Sequence, residues 1–151
     1  FYNYLQTGKY NPLPSKATIA NAMDVGDPSN FARIYDLYHG SYEKIKSLIS
    51  GATYSDSQIR TTMKDCYDKH GYVLDPHGAC GYQALVDLLE DGETGVFCET
   101  AHPAKFKETV ENAINAEIKI PERLAEFMKG TKKSVPMTNQ FDDFKAFLMK
   151  E

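Results

Sequence analysis

Apolar side chains recur at spacings of three and four along most of the chain, with polar positions between them. That period predicts a molecule built chiefly of short amphipathic helices. Phe31, Ile34, Tyr35 and Tyr38 mark one, stopped by Gly40. Tyr42, Ile45, Leu48 and Ile49 mark a second within residues 41–50, stopped by Gly51. Ile59, Met63, Cys66 and Tyr67 stripe a third over Asp56–His70, with Gly71 after it. Leu85, Leu88 and Leu89 belong to a helix over 78–91, ended by Gly92. Phe106, Val110, Ala113 and Ile114 give another. Pro121 opens one that runs through Met128, and Phe141, Phe144, Phe147 and Leu148 form the packing face of a last helix capped by Thr138 or Asn139. Glycine just past a helical stripe is a stop signal because it accepts the left-handed conformation of a helix end. Phe1 to Gln6 reads as the tail of a helix with Gly8 as its cap, an opening expected of a chain cut from something longer.

Three segments break this period. Gly95-Val96-Phe97-Cys98 is a short, nearly continuous apolar run, which predicts a strand buried on both faces. Ala17–Ala20 and Lys133–Met137 are weaker strand candidates. The order strand, tight turn at Thr100-Ala101-His102-Pro103, then helix is the grammar of an α/β fold. Asp24 to Asn30 is turn chemistry, and Ser29 or Asn30 is placed to cap the helix that follows.

The composition, 42% hydrophobic and 25% charged over 151 residues, suits one ordinary globular domain. No apolar run approaches the roughly 18 residues of a membrane-spanning helix. Residues 1–75 hold eight basic and eight acidic side chains and residues 76–151 hold nine and thirteen, so neither half carries the positive excess that a nucleic-acid backbone requires. Three cysteines with no signal peptide before them argue against a disulfide scaffold and for a reducing cytoplasm.

Four patterns carry possible chemistry. Cys66, His70, His77 and Cys80 supply a Cys2His2 set, but their spacing departs from the usual zinc patterns and Cys66 lies on an apolar stripe. Cys98 and His102 are close in sequence, yet a cysteine inside a buried run is inert packing material. Thr100 falls at the carboxyl end of the expected strand, where open α/β sheets bind ligands, and a helix cap is the competing explanation. Asp75-Pro76-His77-Gly78 joins the helical and α/β parts; His77 is an acid, a base or a boundary histidine, and Asp75 or Gly78 starts the next helix.

The strings Met23-Asp24-Val25-Gly26-Asp27-Pro28-Ser29-Asn30-Phe31, Leu74-Asp75-Pro76-His77 and Thr100-Ala101-His102-Pro103-Ala104-Lys105-Phe106 together resemble the threonine synthase family, in the right order. Tyr4-Leu5-Gln6-Thr7-Gly8-Lys9-Tyr10 and Ile120-Pro121-Glu122-Arg123-Leu124 extend the likeness over essentially the whole chain. It reaches only the C-terminal part of that longer enzyme. The motif with the lysine that binds the cofactor covalently, and the glycine-rich loop that cradles its phosphate, belong to the N-terminal part and do not occur here.

The resemblance implies a helix-rich α/β fold: the C-terminal part of an open αβα sheet of the tryptophan-synthase-like class, with a helical insertion. Residues 1–25 would be an opening helix tail and loop of the sheet domain, 26–71 a helical subdomain and 72–151 the segment completing the large domain. It implies pyridoxal 5'-phosphate as cofactor, O-phosphohomoserine as substrate and the family's N-terminal part as partner, with γ-elimination of phosphate followed by addition of water at the β-carbon. These 151 residues alone would be inactive. The resemblance assigns Thr100 to the pyridine nitrogen of the cofactor, where a hydroxyl makes the ring a milder electron sink than a carboxylate would. Asp75, His77, His102, Lys105, Ser29 and Asn30 become cleft candidates, with no metal ligand among them. Many members carry threonine where this chain has Gly78, which puts that contact in question. The rival from another class is a non-catalytic helical interaction module.

Overall fold

The structure, a computed structural model, describes residues 1–21 and 25–150; the Met23-Asp24 start of the first family-like string lies outside the described residues. Eight α-helices are present among them: α1 (Tyr2–Thr7), α2 (Phe31–Leu37), α3 (Tyr42–Leu48), α4 (Asp56–His70), α5 (Pro76–Leu88), α6 (Lys107–Ile114), α7 (Glu122–Met128) and α8 (Phe141–Leu148). A single 3₁₀ turn, Pro103–Phe106, leads into α6. The chain divides into two compact units, Phe1–Lys119 and Ile120–Glu151.

Local signals set the helix ends. At α4 the Ser55 side chain accepts from the Gln58 N–H while the Gln58 side chain accepts from the Ser55 N–H, a reciprocal cap. Gly71 closes the same helix in the left-handed conformation (φ 65°) that a side chain would resist. Helix α5 begins earlier than the pattern predicts, because Asp75 is its cap and Pro76 opens its first turn. The expected cap at α2 is corrected: Asn30 has helical backbone angles (φ −73°, ψ −8°) and its side chain caps nothing. The first N–H groups of α2 go instead to the carbonyls of Pro28, Ser29 and Asn30, so no side-chain acceptor is needed.

The first unit holds two apolar clusters. Tyr4 and Leu5 of α1 bury against Ile45 of α3, and the Tyr42 hydroxyl donates to the Leu5 carbonyl at 2.8 Å. Phe31 stacks flat on Tyr10 with ring centroids 4.1 Å apart. The larger cluster joins Ile59, Met63 and Cys66 of α4, Leu74, Ala79 of α5, and Val110 and Ile114 of α6. A polar seam runs beside it: Thr62 donates to Gln83, Gln83 to Asp87, and the Tyr54 hydroxyl to Asp87. After α6, Glu111 accepts from Lys107 and from the Ile118 N–H, which ties the following loop back to the helix.

In the second unit neither α7 nor α8 buries a residue. The expectation of a packed final helix is therefore corrected, since Phe141, Phe144, Phe147 and Leu148 are all exposed. Nor do Thr138 and Asn139 cap it; Gln140 holds the cap position and Thr138 donates to Asp143.

The three expected strands are also corrected. Ala17–Ala20, Gly95–Cys98 and Lys133–Met137 are not strands, and none occurs among the described residues. A strand exists only through a neighbour that completes its ladder, and these segments find none among the described residues. Val96 is 85% exposed rather than buried.

Candidate functional site

The N-terminus of α5 and the segment 99–106 meet around one buried carboxylate. Asp75 is fully buried, an unusual setting for this residue type. Its Oδ1 accepts from the His77 N–H at 2.8 Å and lies 2.9 Å from His77 Nδ1; its Oδ2 accepts from the Gly78 N–H at 3.4 Å. Burial acts to raise the Asp75 pKa, but the hydrogen bonds from Glu99, His77 and Gly78 outweigh it and hold the group below the ordinary range. Bonded to a carboxylate, Nδ1 of His77 carries the proton and Nε2 is left as the free acceptor. The imidazole also leans on the Phe106 ring, with centroids 5.2 Å apart. This is an oriented histidine with one working nitrogen.

Glu99 completes the cluster, and nothing in the sequence singled it out. Its carboxyl lies directly over the α-carbon of Gly78, so that any side chain at position 78 would overlap it. Both oxygens are sealed from solvent and make no well-formed hydrogen bond; the one backbone donor that acts on the carboxyl is the Asp75 N–H. Burial, then the neighbouring Asp75 carboxylate, push the Glu99 pKa up to about 8. The one sequence signal was Gly78 itself, a residue without a side chain in the first turn of a helix.

Thr100 follows immediately. It is exposed, lies outside any helix, and its hydroxyl makes no hydrogen bond among the described residues. A lone hydroxyl of this kind fits the single donor or acceptor contact that a heteroaromatic ring nitrogen takes. His102 caps the 3₁₀ turn, its Nδ1 accepting from the Ala104 N–H at 3.0 Å, which places its proton on Nε2. It lines an open groove of about 440 Å³ with Tyr67, Tyr72 and Glu117. Lys105 is exposed, its Nζ 5.8 Å from the Phe106 ring centre.

The structure thus brings Asp75 and His77 together with the segment bearing Thr100, His102 and Lys105. Ser29 belongs elsewhere, to a shallow apolar groove with Tyr10, Phe31 and Tyr35, and Asn30 sits at the start of α2.

The four zinc candidates are each engaged separately. Cys66 is in the core, Cys80 donates to the Pro76 carbonyl at 3.4 Å, His70 meets the Tyr82 hydroxyl at 3.2 Å and His77 meets Asp75. Burial pushes the thiols of Cys66 and Cys80 up, away from the thiolate that zinc needs. No group of three metal-ligating side chains stands together among the described residues. Cys98, expected in a buried strand, is exposed.

Comparison with known proteins bears on the same segments. A family model described as "Threonine synthase, C-terminal" matches residues 78–148. The threonine synthase of Haemophilus influenzae is 41% identical over 147 residues, covering 97% of this chain and 34% of that protein. The crystal structure of threonine synthase from Escherichia coli superposes with a TM-score of 0.81 at 35% identity, over 97% of this chain and 34% of the other. A structure of PLP-bound threonine synthase from Brucella melitensis shares the fold, with a TM-score of 0.74 at 22% identity, over 97% and 37%. The chain spans about a third of the length of the curated relatives it matches.

Proposed function

The chain belongs to the threonine synthase family, aligned with the C-terminal portion of its members, and from that premise we propose that it completes the active-site cleft of an enzyme converting O-phosphohomoserine and water to threonine and phosphate. The observation that carries this reading is the 41% identity to a threonine synthase over 147 residues, 97% of the chain. When bound, pyridoxal 5'-phosphate supplies an electron sink that stabilises negative charge on the substrate carbons. The family's N-terminal portion supplies the lysine and the phosphate loop, so these 151 residues alone form no threonine.

Within that cleft Thr100 bonds the pyridine nitrogen. A hydroxyl donates to an unprotonated nitrogen, which leaves the ring a milder sink than a carboxylate would. His77, held by Asp75, presents Nε2 as a proton acceptor. His102 presents an Nε2–H donor, and Lys105 a mobile positive charge suited to an anion. Ser29 and Asn30 form a more distant wall. In sheet terms, the segment ending at Thr100 would become a strand only by pairing with an open αβα sheet of the tryptophan-synthase-like class in the complete polypeptide. Residues 1–25 and 72–151 belong to that sheet domain and 26–71 to the helical insertion. No helix among the described residues is long and apolar enough to cross a membrane, and the cytoplasm, which holds soluble biosynthetic enzymes, is the proposed compartment.

The test measures phosphate release and threonine formation from O-phosphohomoserine by the complete polypeptide carrying these residues. Activity that depends on added pyridoxal 5'-phosphate is expected. Thr100→Val, which removes the hydroxyl at nearly constant volume, should lower cofactor affinity by about tenfold, the factor for losing one hydrogen bond. Full activity without the cofactor, or no threonine with it, refutes the reading.

A further inference from the structure

We propose that Glu99 is a positioning residue: its carboxyl, carrying a proton, sits in the recess over Gly78 against the Asp75 carboxylate and latches the segment that bears Thr100 to the N-terminus of α5. The recess exists because residue 78 lacks a Cβ. Asp75 cannot move to meet its neighbour, since it is fully buried and its two oxygens are committed to the first turn of α5.

The proton follows from the inventory of groups. Two ionised carboxylates offer only acceptors and repel each other, so a buried pair of this kind keeps one proton between them. Asp75 already accepts two backbone N–H bonds and the His77 ring, which favour its charged form. Glu99 feels only the Asp75 N–H, against burial and the adjacent carboxylate, and therefore holds the proton, becoming an O–H donor to Asp75. The titratable groups around the pair are His77 and Cys80 on α5 and Cys66 on α4, and no lysine or arginine pairs with either carboxyl among the described residues. When Glu99 ionises, its proton goes to solvent and the carboxylate must leave the recess to regain hydration. The segment that it anchors is then released.

Glu99 and Thr100 are adjacent, so the latch fixes where the hydroxyl stands. Only that consequence rests on the proposed function; the carboxyl pair itself does not. The test is therefore made without cofactor. Hydrogen–deuterium exchange of a peptide covering residues 99–106, in which the Ala104 and Lys105 N–H groups are hydrogen-bonded, is followed in the complete polypeptide from pH 6.5 to 9.5, corrected for intrinsic rates. Protection should fall with a midpoint near pH 8. Glu99→Gln, neutral at every pH and able to donate to Asp75, should stay protected throughout with no midpoint. Gly78→Ala fills the recess with a methyl group and should make the peptide exchange about tenfold faster than the parent at pH 6.5, the factor for one charge-assisted bond. Amides of α5 beyond the first turn report whether the helix is intact, and should not change. A parent without a midpoint, a midpoint that survives in Glu99→Gln, or parent-like exchange in Gly78→Ala with α5 intact overturns the latch. If Gly78→Ala disrupts α5, the Glu99→Gln profile alone decides. Failure of Thr100→Val to weaken cofactor binding would leave these exchange results standing.

Discussion

Replacing Asp75 by alanine should destabilise the first unit by an amount that shrinks as pH rises. The substitution removes the cap of α5, which is worth about 1 kcal/mol. The cap bonds are those to the His77 and Gly78 N–H groups, and because the Gly78 N–H is buried the whole loss is about 1–3 kcal/mol at pH 5. Against it works the relief of Glu99. That group's folded pKa of about 8 stands above its ordinary 4.5, so the folded chain binds a proton that the unfolded chain has lost. Its stabilising contribution is complete below 4.5 and is lost as pH climbs to about 8, at up to about 1.4 kcal/mol per pH unit. Burial is the larger cause of the raised value and persists in the variant; the Asp75 charge is the remaining cause and disappears. The variant should lose less stability than the parent over this window, so the gap between them narrows by up to about 1.4 kcal/mol for each unit by which the Glu99 pKa falls. Urea unfolding followed by circular dichroism at pH 5, 6.5 and 8 measures the gap. A gap that is constant or widens with pH would falsify the coupling of the two carboxyls.

Two further outcomes are expected elsewhere in the molecule. Met63→Ala empties a fully buried position between α4 and its neighbours and should cost about 2–5 kcal/mol in the same urea assay; a loss below 1 kcal/mol would mean that the cluster is not a packed core. Cys98 should react with a thiol reagent in the folded protein within the time of mixing, while Cys66 reacts only on unfolding. Mass mapping that finds Cys66 modified first would contradict their exposed and buried placements.

The helices were legible because their determinants are local. Ser55, Gln58 and Gly71 lie within a few positions of the ends of α4, and the stripe of Ile59, Met63 and Cys66 names the face that buries. The strands were misread because an apolar run such as Gly95–Cys98 reports affinity for a partner, not the presence of one. Asp75 was legible as one of two candidate starts of α5, and its contact with His77 follows from that position, since a cap residue and its second neighbour touch by helix geometry alone. Glu99 was not: a glutamate that faces a glycine 21 positions earlier looks, in sequence, like any solvated acid. Asn30 shows the reverse case, a residue of the right type at the right place that the backbone made unnecessary.

The missing Cβ at residue 78 ties two distant codons together. A lineage that acquires a side chain there must first have surrendered the acid at 99, or lose the recess in which it sits. A lineage that carries both a side chain at 78 and the acid at 99 must turn that acid outward, so the glycine and the glutamate form one coupled pair.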